Sequence, residues 1–120
     1  MKREKYALYV GRWQVWHSGH RWLIDQKINQ GIPVCIAVRD VDTDENNPYT
    51  AQEVRLNLMR ELYELISNGM LTVIIIPDIE SFNYGRDVGY QVIEHVPPKE
   101  IAEISGTKIR AQRANENRTI

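Results

Sequence analysis

Apolar and polar positions fall into blocks of different period along the chain. Residues 6–10 (YALYV) are a short apolar, aromatic run that stops at Gly11, which predicts a buried strand. Ser18 is a candidate helix cap, and Trp22, Leu23, Ile24 and Ile28 follow as an apolar stripe that ends at Gly31. Residues 33–38 (PVCIAV) are apolar throughout, as expected of a strand covered on both faces. Residues 39–47 are polar and predict a loop. Thr50 and Glu53 then fit a capping box, with Val54, Leu58, Leu62 and Leu65 at helical spacing up to Asn68-Gly69. Residues 71–76 (LTVIII) predict a third strand. A loop with two glycines follows over 81–89, then a fourth strand over 90–96 that Pro97-Pro98 breaks. The pattern closes with a short extended piece over 101–104 and a last helix over 107–114.

Strand and helix alternate in this reading. Alternation of this kind predicts an α/β protein with a parallel sheet and helices on both faces. The expected architecture is a three-layer α/β/α Rossmann-like fold with a four- or five-stranded sheet. Such sheets bind ligands beyond the carboxyl ends of their strands, which directs attention to the segment after residue 10.

Composition narrows the function. The chain has 120 residues, the length of one domain, and 42% of them are hydrophobic. Fifteen basic against sixteen acidic residues give a net charge of -1. That balance argues against a nucleic-acid or membrane partner. The single cysteine, Cys35, sits within an apolar run and has no internal partner. With no apolar run of membrane-spanning length and no signal-peptide core, a cytoplasmic protein is expected.

The chemistry concentrates in GRWQVWHSGHRW, residues 11–22, which hold all three tryptophans and two of the three histidines. A glycine-bearing strand-to-helix connection lets backbone approach a ligand, and the helix start favours anions. His17 and His20 lie at i and i+3 and can face one side, where their ring nitrogens donate to phosphate oxygens. Arg12 adds a fixed charge. The tryptophans suit packing better than base stacking. A zinc site is the weaker reading, because only His95 and the strand-borne Cys35 remain as histidine or cysteine ligands. A second loop, IAEISGTKIR, repeats the arrangement: Ser105 at a cap position, Gly106, then Thr107 and Lys108 entering a helix. Two such loops point to a polyphosphate held between two helix starts.

These segments resemble the HxGH nucleotidyltransferase superfamily. GRWQVWHSGH is similar to its GRFQPFHxGH motif, ISGTKIR to its ISGTxIR or ISSTxIR motif, and NPYTAQEVR to the NPFTAGER segment of the nicotinamide mononucleotide adenylyltransferase branch. Val15 stands at the motif's proline, Trp13 at its phenylalanine, and Arg55 one place beyond the arginine of NPFTAGER. In size the chain is closer to the glycerol-3-phosphate cytidylyltransferase branch. The resemblance implies that His17 and His20 contact the α- and β-phosphates of a nucleoside triphosphate, with Lys108 on the second helix start completing the catalytic set. Gly11, Arg12, Trp13, Gln14 and Gly19 would line the nucleotide. Ser105, Gly106, Thr107 and Arg110 would hold its outer phosphates, and Mg2+ would bridge them. The reaction implied is attack of a substrate phosphate on the α-phosphorus with loss of pyrophosphate. It needs no covalent enzyme intermediate and no metal held by protein side chains alone.

ATP is preferred over CTP on Gly11-Arg12, Gln14, NPYTA and ISGT; the partner is a small phosphorylated acceptor such as nicotinamide mononucleotide. Arg39, Tyr84 and Arg86, in loops after strands that open onto the same rim, and Arg55 on the helix that follows Thr50 are the candidate acceptor residues. The acidic run Asp40, Asp42, Asp44 and Glu45 reads chiefly as a solvated loop. The resemblance also implies a homodimer. The alternatives are a cytidylyltransferase for a phosphorylated alcohol such as glycerol 3-phosphate or phosphocholine, and a nucleotide-binding module without turnover. A single-stranded nucleic-acid binder using the tryptophans as platforms is a further rival, weakened by the neutral charge.

Overall fold

The computed structural model describes residues 4–86 and 89–104. β1 (Ala7–Gly11), β2 (Val34–Asp40) and β3 (Leu71–Pro77) are its three strands. All pair in parallel, in the order β1-β2-β3, with Ala7 level with Val34 and Val34 level with Leu71. The chain therefore has an α/β fold with an all-parallel sheet flanked by helices. β2 is central, and this explains why its residues 34–38 are apolar without interruption: Val34, Ile36 and Val38 are fully buried and Ala37 nearly so.

α1 (Ser18–Ile28) links β1 to β2, and α2 (Ala51–Glu61) with α3 (Tyr63–Ser67) links β2 to β3. Their apolar stripes supply Ile24, Val54, Leu58, Leu62 and Leu65 to one core with Val34, Ile36, Val38, Leu71 and Val73. Removing a side chain such as Leu58 from water contributes about 1.5–3 kcal/mol. The single helix expected up to Asn68 is divided at buried Leu62, whose φ of -114° and ψ of 25° leave the helical region. Both helical connections end alike. Gly31 and Gly69 take left-handed φ values of 76° and 81°. Around them Ile32 N–H bonds to Lys27 O and Met70 N–H to Leu65 O, at 3.1 and 2.8 Å. These are Schellman closures, and they require a residue that tolerates positive φ.

Three expectations are corrected. Residues 91–98 form no strand, so the described sheet has three strands, not four or five. Val92 and Val96 are 97% and 75% exposed, and the segment meets β1 through side chains, with His95 stacked on Tyr9 at 6.1 Å between ring centroids. Apolar alternation specifies a strand only where a neighbour buries one face. The extended piece expected over 101–104 is instead a short helix, α4 (Lys99–Ala102), for which Pro98 O accepts the N–H groups of Ile101 and Ala102. Helical covering of both sheet faces is also not seen among the described residues: Leu71 and Val73 are buried while Thr72 and Ile74, on the other face, are exposed. The helix expected over 107–114 lies outside the described residues.

Candidate functional site

β1 ends at Gly11, and residues 12–17 cross the carboxyl edge of the sheet into α1. Trp13 makes this crossing possible. Its backbone is left-handed, with φ 50°, and its indole Nε1 donates to Ala37 O on β2 at 3.1 Å. The indole folds back over Gly11, where an added Cβ would stand 3.0 Å from Trp13 Cε2. Gly11 is thus small because Trp13 lies on it. Gln14 is buried and spends both ends of its amide on Tyr49: Nε2 donates to Tyr49 O at 3.1 Å and Oε1 accepts from Tyr49 N at 2.9 Å. This clamps the crossing loop to the approach to α2, and makes Gln14 a positioning residue.

The cap of α1 is His17, not Ser18, which is the first helical residue. His17 has the extended backbone a cap needs, and its imidazole takes the part usually played by a serine or aspartate oxygen. Its Nδ1 accepts the N–H groups of Gly19 and His20 at 3.1 and 3.4 Å. His20 Nδ1 reaches back to accept from His17 N at 3.4 Å. The result is a capping box built of two histidines. It stacks the two rings with centroids 3.7 Å apart and 18° from parallel. Gly19 permits this, since a Cβ there would fall 2.9 Å from His17 Cε1.

Two tryptophans close in on the pair. Trp13 meets His20 edge-on at 5.0 Å and Trp16 lies tilted against it at 5.3 Å. Burial lowers the His17 pKa below the usual histidine value. It pushes His20 down to about 4, with the nearby His17 adding to the effect. Both rings are therefore neutral near pH 7. Among the described residues neither Nε2 has a hydrogen-bond partner. The pair sets two Nε2 atoms, unpartnered among the described residues, at the start of an 11-residue helix, a place where an anion is stabilised.

The remaining expected residues are distributed around this centre. Arg39, at the end of β2, holds Asp78 beyond β3 through Nε and Nη2 at 2.8 and 2.7 Å. That contact, aided by Arg12, keeps the Asp78 carboxyl below its usual pKa. Asp44 is lowered first by its hydrogen bonds to Asn47 and, more weakly, by Arg12. Arg12 therefore sits in the field of two carboxylates on the same rim. Arg55 is half-buried on α2, while Tyr84 and Arg86 stand exposed on the segment after β3. Ser105, Gly106, Thr107, Lys108 and Arg110 lie outside the described residues. The chain reaches them from α4, however, and α4 touches α1: Ile101 O is 3.7 Å from where a Gly19 Cβ would be.

A groove of about 270 Å³ opens between the crossing loop and α2, lined by Trp13, Trp16, Tyr49, Glu53, Asn57 and Arg60 among others. Its α2 residues escaped the sequence reading. Glu53, Asn57 and Arg60 recur at i, i+4 and i+7 and mark one helical face, but nothing in the sequence says that this face meets the tryptophans. Asn47 was also overlooked: it is buried, and its Oδ1 has no partner. Among the described residues no three histidine, cysteine or acidic side chains gather as a metal site, and no helix is long and apolar enough to cross a membrane. No family model, curated protein or solved structure matches this chain.

Proposed function

We propose that this chain is a nucleotidyltransferase. It moves a nucleoside monophosphate, preferentially AMP, from a triphosphate to a small phosphorylated acceptor and releases pyrophosphate. The observation that carries the reading is the stacked His17–His20 pair, with both Nε2 atoms unpartnered among the described residues, at the start of α1 and beyond the carboxyl end of β1. β1 lies at the edge of the described parallel sheet, in the order β1-β2-β3. Under a Rossmann-like reading that order is one half of the sheet, and β1 stands where the strand order of such folds reverses and ligands bind. The motif ISGTKIR begins at Ile104, directly after a helix that abuts Gly19.

In this reaction an acceptor phosphate oxygen bonds to the α-phosphorus while the bond to the bridging oxygen breaks, and pyrophosphate departs with the electron pair. Negative charge shifts toward the leaving oxygens. Donors fixed in place before the reaction stabilise it without reorganising. The reading takes the groove lined by Trp13 and Trp16, the two rings that touch His20, as the room for the acceptor. Mg2+ takes oxygen ligands, yet the described carboxylates nearest Arg12 are committed, Asp78 to Arg39 and Asp44 to Asn47. The described side chains form no cage for the ion, so no step is assigned to it; it accompanies the triphosphate.

Pyrophosphate release in the presence of Mg2+ tests the proposal, with ATP and CTP crossed against nicotinamide mononucleotide, glycerol 3-phosphate, phosphocholine and phosphopantetheine. Release is expected with one pair. His20→Ala should lower it by about 10²–10³-fold, the cost of losing one fixed donor. Release with CTP and a phosphorylated alcohol would move the protein to the cytidylyl reading. Triphosphate binding without turnover would leave a binding module, and absence of both would sink the proposal.

A further inference from the structure

A ring nitrogen that accepts an N–H bond presents its lone pair and carries no proton. His17 Nδ1 accepts two backbone N–H groups, and His20 Nδ1 accepts one. The proton of each neutral ring is therefore on Nε2, the atom left open. The rings are stacked 3.7 Å apart, a separation at which two imidazolium charges repel strongly. Among the described residues, charged groups on the packed elements do not offset this. On α1, Arg21 and Asp25 pair with each other; on and after α4 the charges are Lys99, Glu100 and Glu103. Among these described residues none contributes to the shift of either histidine, which burial dominates.

We propose that His17 and His20 act as a matched pair of neutral Nε2–H donors, held in one tautomer by the backbone at the start of α1, with Gly19 as the positioning residue. The group they recognise is an anionic oxygen that accepts hydrogen bonds, and neither ring becomes imidazolium to bind it. Only the identity of that anion, a phosphate, rests on the transferase reading. Opposite charge is supplied by the helix start, and the histidines supply direction. Adding a proton at Nδ1 expels the ring from the cap, so one event in acid disables the donor pair and loosens the first turn of α1. An ordinary histidine phosphate site behaves in the opposite way and gains attraction as it is protonated.

Imidazole 15N spectra of the whole, ligand-free protein test this. His17→Gln and His20→Gln assign the signals, and His95 serves as the internal reference. Both site histidines should show an unprotonated Nδ1 and a protonated Nε2 at pH 7, and His20 should keep that form to pH 5. An imidazolium or an Nδ1–H tautomer in either ring at pH 7 overturns the proposal. The readout needs no turnover, so a failed transferase assay leaves it standing and a failed spectrum leaves the transferase reading standing. Gly19→Ala drives the His17 ring from its cap. The His17 titration should then rise toward the ordinary histidine value; an unchanged tautomer and titration would overturn the role of Gly19.

Discussion

His20 carries the largest consequence of any single residue. In the unfolded chain it titrates near 6.5, and in the fold near 4, because burial and His17 disfavour its charge. The unfolded state therefore binds the extra proton first. The stability held in neutral His20 is complete above pH 6.5 and is lost progressively as pH falls toward 4. At about 1.4 kcal/mol per pKa unit, discounted for the ring's partial exposure, the loss is about 2 kcal/mol. Denaturant unfolding at pH 7, 6, 5 and 4 should show this decline, and His20→Gln should flatten it across that window. An equal slope in the variant would mean that other groups drive it. Asp44 and Asp78, both lowered, act below the usual carboxylate range and leave the upper part of the window to histidine. The sequence disclosed this pair by spacing alone. It did not disclose that the rings cap the helix, because an imidazole in a serine's role needs the extended backbone at His17.

At the scale of elements, what was legible is what depends on local order. The Thr50–Glu53 box forms as its spacing predicts: Thr50 Oγ1 accepts from Glu53 N and Glu53 Oε1 from Thr50 N, both at 3.1 Å. Thr50→Ala should cost about 1 kcal/mol in denaturant unfolding. It should also loosen Tyr49, which the Gln14 amide holds next to that cap. A change confined to stability, with the groove untouched, would show that Gln14 fixes Tyr49 without help from the helix. Val54, Leu58, Leu62 and Leu65 were likewise legible, because a helical stripe depends only on period. Segment 90–96 was not. Its apolar Tyr90, Val92, Ile93 and Val96 suit a strand, but whether an edge accepts them is decided by distant residues. The break at Leu62 had no local sign either, since leucine is a good helix former.

For the whole molecule, topology determines which loops can share a ligand. β1 is at the edge of the described sheet; its crossing loop borders β2 through Trp13 and Ala37 and the approach to α2 through Gln14 and Tyr49, while the start of α1 borders α4 through Gly19 and Ile101. Three separate stretches of chain thus converge on one helix start. A ligand held there ties them together and stabilises the folded state by mass action. Under the transferase reading, ATP with Mg2+ at a hundred times its dissociation constant should add about 2.7 kcal/mol to unfolding. In a domain of this size that raises Tm by about 10 °C, at several degrees per kcal/mol. The shift should shrink with His17→Ala or His20→Ala, which remove donors. It should persist with Tyr84→Ala, an exposed residue on the segment after β3. All three tryptophans lie in or beside the crossing loop, so their emission should report the same binding curve. A thermal shift without a change in tryptophan emission would place the triphosphate elsewhere. An equal shift in the histidine variants would remove the pair from triphosphate binding altogether.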